Sequence, residues 1–65
     1  MMSVRFQVGE RVKLRTAISV ASAGTVGTIH LVYRSVDDLY DVQFDGDAYL
    51  KVLRAGELQR ADAVL

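Results

Sequence analysis

The sequence reads as an all-β fold, five short strands rolled into a small barrel with one helical turn before the last strand. Three stretches lead there. Tyr40, Val42 and Phe44 alternate with Asp41 and Gln43, the two-residue period of a half-buried strand. Asp45-Gly46 follows at once, a pair suited to the left-handed backbone of tight hairpins. Upstream, Ala23-Gly24-Thr25-Val26-Gly27-Thr28-Ile29 sets two glycines among residues that prefer a pleated strand. A glycine inside a strand marks a bulge, a sharp bend or a close backbone approach. Val26 and Ile29 are three positions apart, so alternation places them on opposite faces, and one extra residue near Gly27 returns both to the same side. The expectation is a strand that bends at Gly27 and helps to close the barrel.

Taken in order, residues 1–7 form a lead-in, either a short strand or an arm whose Phe6 closes one end of the core. Gly9 turns the chain into a first strand in which Val12 and Leu14 face in while Arg11, Lys13 and Arg15 face out. Residues 16–23 are small and polar, a loop folded back over the barrel and anchored by Ile18, Val20 or both. Residues 24–34 are the central strand. Past its bend, Ile29, Leu31 and Tyr33 share one face, and His30 and Val32 the other. Ser35-Val36-Asp37-Asp38 is a turn, because Ser and Asp side chains hydrogen-bond their own backbone. After the 39–44 strand and the Asp45-Gly46 hairpin, residues 48–53 return with apolar side chains on both faces. Leu50 and Val52 are assigned to the core, with Tyr49 and Leu53 outside. Residues 54–57 make one helical turn, 58–60 the closing strand, and 61–65 a tail. The chain is thus a single domain over residues 1–65, with its barrel spanning 8–60. Its expected core is Val12, Leu14, Val26, Ile29, Leu31, Tyr40, Val42, Phe44, Leu50 and Val52.

Composition narrows the function. A chain of 65 residues buries only about 60% of its unfolded surface, so the core is thin. With no Cys there is neither a disulfide nor a thiolate nucleophile, which suits a reducing compartment. Eight Lys and Arg balance eight Asp and Glu, so bulk charge attracts neither nucleic acid nor an anionic membrane. The longest charge-free stretch, 16–33, carries glycines, Thr, Ser and His30 and is too polar to span a bilayer. No targeting segment is visible, and the expected location is the cytoplasm.

The run Val8-Gly9-Glu10-Arg11-Val12, then Gly24-Thr25-Val26-Gly27-Thr28-Ile29, Tyr40-Asp41-Val42-Gln43-Phe44-Asp45 and Leu53-Arg54-Ala55-Gly56-Glu57-Leu58-Gln59, resembles the small SH3-like barrels. It is similar to short bacterial barrels of unknown function, to the KOW-type barrels of ribosomal and transcription proteins, and to the small photosystem and ferredoxin-thioredoxin-reductase barrels. The resemblance covers most of the chain, and its motifs are structural: the turn glycine Gly9, the bend glycine Gly27, the hairpin at Gly46 and the closing turn, with Gly24 a further structural glycine at the start of the central strand. They imply a fold and leave the function open. Residues 8–12 and 55–60 also look like the plasmid-borne tetrameric dihydrofolate reductases. That family's Val-Gln-Ile-Tyr pore segment is matched here by Tyr49-Leu50-Lys51-Val52, which has no Gln and no Tyr at the corresponding positions, removing the residues that would bind cofactor and substrate.

Several groups could carry chemistry. His30 is the single histidine and, without Cys, builds no structural zinc site. Asp37, Asp38, Asp41, Asp45 and Asp47 lack the spacing of an EF-hand loop, and turn chemistry accounts for Asp37, Asp38 and Asp45. Gly24-Thr25-Val26-Gly27 has no lysine after it and opens no helix, so it is not a phosphate loop. Arg11, Lys13 and Arg15 form a basic row of the sort that contacts nucleic acid when aromatic residues stand beside it. These readings lead to a non-enzymatic binding or scaffold module without cofactor or metal. Its partner is a protein or a second copy, contacted through Tyr49 and Leu53 with Val64 and Leu65. An RNA- or DNA-binding role through Arg11, Lys13 and Arg15 ranks second, and an enzyme third.

Overall fold

A computed structural model describes residues 6–33 and 38–62. The fold is all-β. Strands β1 (Arg11–Leu14), β2 (Val26–Val32), β3 (Leu39–Phe44), β4 (Leu50–Arg54) and β5 (Leu58–Arg60) form one antiparallel sheet, with a single 3-10 turn, Ala55–Glu57, before β5. The strand order is β4-β3-β2-β1-β5. That order forces the sheet to curl. Its two edge strands lie four spacings apart, about 19 Å if the sheet were flat. The chain from Arg54 to Leu58 reaches only about 14 Å when fully extended. The 3-10 turn can therefore join the two edges only if the sheet rolls them toward each other. Backbone hydrogen bonds hold the turn from both sides, from Ala55 N to Asp38 O (3.0 Å) and from Arg15 N to Glu57 O (2.9 Å). Its first turn is closed by the Glu57 carboxylate, which accepts from Arg54 N at 2.9 Å.

The rolled sheet encloses Phe6, Val12, Leu14, Ile29, Tyr40, Val42, Phe44, Leu53, Ala55 and Leu58. Phe6 lies in the core, as the arm reading of the lead-in expects. Its ring meets Tyr40 edge-on at 5.5 Å, and its N–H donates to the Tyr40 hydroxyl at 3.2 Å. Tyr40 thereby satisfies its polar end inside an apolar site. Ile18 and Ala21 bridge to each other and pack on the core, so the early loop is anchored by Ile18, while Val20 stays exposed. Gly9, Gly24 and Gly46 all have φ near +90°, a backbone that a β-carbon disfavours.

Two strand phases depart from expectation. The irregularity in β2 lies at His30 and not at Gly27: Ile29 pairs with Val42, and Leu31 already pairs with Asp41, leaving His30 as the extra residue. The bulge reverses the alternation behind it, so Leu31 turns outward and Val32 packs on the core. Before it, Gly27 faces in, and Val26 lies opposite Lys13 on the outer side. Gly27 is instead a point of close approach: a β-carbon there would stand 2.7 Å from Gln43 O and 3.0 Å from Phe44 Cα.

The second departure is in β4. Leu53 is 5% exposed and belongs to the core, whereas Leu50 and Val52 face solvent. The register explains it, since Leu53 pairs with the buried Tyr40, and Val52 and Leu50 pair with the outward positions Asp41 and Gln43. The connection is also longer than a two-residue hairpin. Asp47 N donates to Phe44 O across Gly46, and the Asp47 carboxylate accepts from Tyr49 N, so β4 begins at Leu50.

Candidate functional site

The rolled sheet leaves one broad outer surface, on the side of β2, β3 and β4 away from the core. Strand pairing sets its composition. Asp41 of β3 lies directly opposite Leu31 on one side and Val52 on the other, and Leu50 follows Val52 on β4. Directly paired side chains stand about 5 Å apart, so these residues form a contiguous patch. Leu31 is 45% exposed, Leu50 41% and Val52 56%. The early loop does not cover them.

Asp41 sits in the middle of this patch and is 9% exposed, although it faces outward. Its neighbours cover it. The Tyr33 hydroxyl donates to Asp41 Oδ1 at 2.7 Å, and this hydrogen bond, reinforced by partial burial and by the carboxylate charge, raises the Tyr33 phenol above its ordinary pKa.

The residues expected at a protein interface separate. Tyr49 is 74% exposed, on the connection before β4, with Lys51 Nζ over its ring at 5.8 Å. Leu53 cannot share that surface, because it is enclosed in the core. Val64 and Leu65 lie outside the described residues.

The basic row separates too. The Arg11 guanidinium grips Asp45 with two hydrogen bonds, Nη1 to Oδ1 at 2.9 Å and Nη2 to Oδ2 at 2.6 Å, and Nη1 also donates to Thr28 Oγ1 at 2.7 Å. This fork holds the Asp45 carboxyl below the usual carboxylate range. Arg15 is exposed beyond the end of β1, and Lys13 is half-buried with contacts of its own. Arg60 pairs with Glu10 at 3.2 Å, and Lys51 with Asp47 at 3.1 Å. Backbone donation from Tyr49, then Lys51, lowers the Asp47 carboxyl. Of the aspartates, Asp37 lies outside the described residues, Asp38 is exposed in a left-handed turn at φ 79°, and Asp45 and Asp47 flank Gly46. Among the described residues no three His, Cys, Asp or Glu side chains converge on a common point. His30 is exposed at the bulge. No described helix is long and apolar enough to cross a membrane.

Sequence reasoning missed the outer patch because it assigned Leu31, Leu50 and Val52 to the interior. One signal did point to it. Residues 48–53 are apolar on both faces, and a barrel this small has room for one set inside. No protein-family model matches this chain, and no curated protein or solved structure shows significant similarity to it.

Proposed function

We propose that this protein is a non-enzymatic binding module of the SH3-like kind, working in the cytoplasm, that holds another polypeptide against the outer face of β2, β3 and β4. The observation carrying the reading is the exposure of Leu31, Leu50 and Val52 side by side on adjacent strands. Single exposed apolar residues are ordinary on monomers, whereas a contiguous apolar patch rimmed by polar groups marks a contact surface. A formal net charge of zero removes the long-range repulsion that would keep copies of the chain apart. A nucleic-acid role ranks behind, because Arg11, the first member of the basic row, is already engaged by Asp45.

The test compares the wild-type chain with the double variant Leu31→Ser, Val52→Ser as baits in affinity capture from native lysate, after thermal melting shows both folded. Proteins held by the wild type and lost from the variant are expected. Identical captured sets would remove the reading. Sedimentation equilibrium of both chains then tells whether a second copy is among the partners.

A further inference from the structure

Asp41 is the least exposed carboxylate among the described residues, yet the ion pairs among those residues fall on other carboxylates. Arg11 is engaged by Asp45, Lys51 by Asp47 and Arg60 by Glu10, and none of them is paired with Asp41. Taking a carboxylate out of water is costly unless hydrogen bonds or an opposite charge compensate it. An ionised carboxylate offers about four acceptor sites. The Tyr33 hydroxyl fills one, on Oδ1. Asp41 lies directly between Leu31 and Val52 in the strand pairing, in the centre of the apolar patch, and among the described residues the Tyr33 hydroxyl is its hydrogen-bond partner.

We infer that the outer face recognises a polypeptide segment carrying an Arg or Lys flanked by apolar residues, with Asp41 receiving the cation and Leu31 and Val52 covering its aliphatic stem. This rests on the protein-binding reading and gives it a specificity. The chemistry fits the side chain on both counts. Arg and Lys bury their methylene stems on apolar surface while the charged head seeks an anion. A guanidinium or ammonium meeting a partly desolvated carboxylate makes a charge-assisted hydrogen bond, about twice as strong as a neutral one. An acidic or purely apolar segment would instead leave the Asp41 charge covered and unpaired, which selects against it.

The experiment selects a random heptapeptide display library in parallel on the full wild-type chain and on Asp41→Asn, which keeps an acceptor for the Tyr33 hydroxyl. Enriched peptides are then titrated into the 15N-labelled proteins. Wild-type selections are expected to converge on Arg or Lys beside Leu, Ile, Val or Phe. Those peptides should shift the amides of Leu31, Asp41 and Val52, and bind Asp41→Asn roughly tenfold more weakly, the scale of one charged hydrogen bond. Replacing the peptide Arg by citrulline should cost the wild type a similar factor and the variant little. Tyr33→Phe should retain the preference for Arg, since it removes the phenol and leaves the carboxylate. Peptides that shift Leu31 and Val52 but show no basic preference, or bind wild type and Asp41→Asn equally, would overturn the inference while sparing the face as a protein-binding surface. Selections that yield no binder to this face overturn the inference, and identical captured sets from the two baits would take the protein-binding reading with it.

Discussion

β3 and β4 are hydrogen-bonded neighbours with five residue pairs between them, yet one was readable and the other was not. In β3, Gln43 and Asp41 mark one face as polar, so Tyr40, Val42 and Phe44 go inside, and all three are buried. In β4, Leu50, Val52 and Leu53 are all apolar, and the backbone alternation cannot say which belong inside. The strand resolves the choice through its partner: Leu53 sits opposite Tyr40 and is buried, and Val52 opposite Asp41 is not. A polar residue on one face is thus worth more for reading a strand than another apolar residue on the other.

The contrast between enclosed and outward positions can be tested by substitution. The largest effect is expected at Gly27, where β2 comes closest to β3. The atoms in the way of a β-carbon there belong to the Gln43 and Phe44 backbone and the Phe44 ring, and the backbone cannot rotate aside. Gly27→Val should cost more than ~4 kcal/mol, most of the stability of a domain this size. A denaturant midpoint near that of wild type would show that the two strands separate easily. Phe44→Ala should follow at about 3–5 kcal/mol, because the ring is enclosed.

The sharpest pair lies on β4 itself. Leu53→Ala should destabilise by about 2–4 kcal/mol, whereas Val52→Ala, one residue away on the exposed face, should stay within about 0.5 kcal/mol. Urea melts of the two variants side by side decide it, and equal midpoints would return β4 to the opposite phase.

The smallest effect concerns the surface, where Arg11 and Asp45 tie β1 to the hairpin after β3. The pair is solvent-exposed and contributes little. Its sign is nevertheless defined. Hydrogen bonds from Arg11 depress the folded-state pKa of Asp45, so its contribution is present above the unfolded carboxylate pKa and is lost as pH falls through the folded value. The Tm difference between wild type and Asp45→Asn should be widest at neutral pH and close in acid. A difference independent of pH would assign the effect to shape and not to charge.

Much of the fold was legible because its signals are local. Gly9 and Gly46 sit where the backbone turns left-handed, and Asp45-Gly46 announces the return of the chain, whereas Gly24, read as the start of the central strand, lies in a left-handed turn before Val26. The alternations of β1 and β3 carry their own phase, and the helical turn before the last strand falls where the chain must cross between sheet edges. The site was less legible. The basic row Arg11, Lys13 and Arg15 is regular in sequence, but a carboxylate from the hairpin, distant along the chain, engages Arg11. Leu31, Val52 and Asp41 come from three strands, and no spacing within one strand announces that they meet.

Residues near in sequence set the strand count, the turns and the faces of β1 and β3, since a strand with one polar face can bury only the other. The faces of β2 beyond His30 and of β4 came from pairing across the sheet. A single extra residue, or a connection of different length, reverses every side chain that follows it, and a strand apolar on both faces has no local preference with which to resist. The same pairing that drew Leu53 inward set Leu31 and Val52 around Asp41, placing a carboxylate at the centre of an apolar surface.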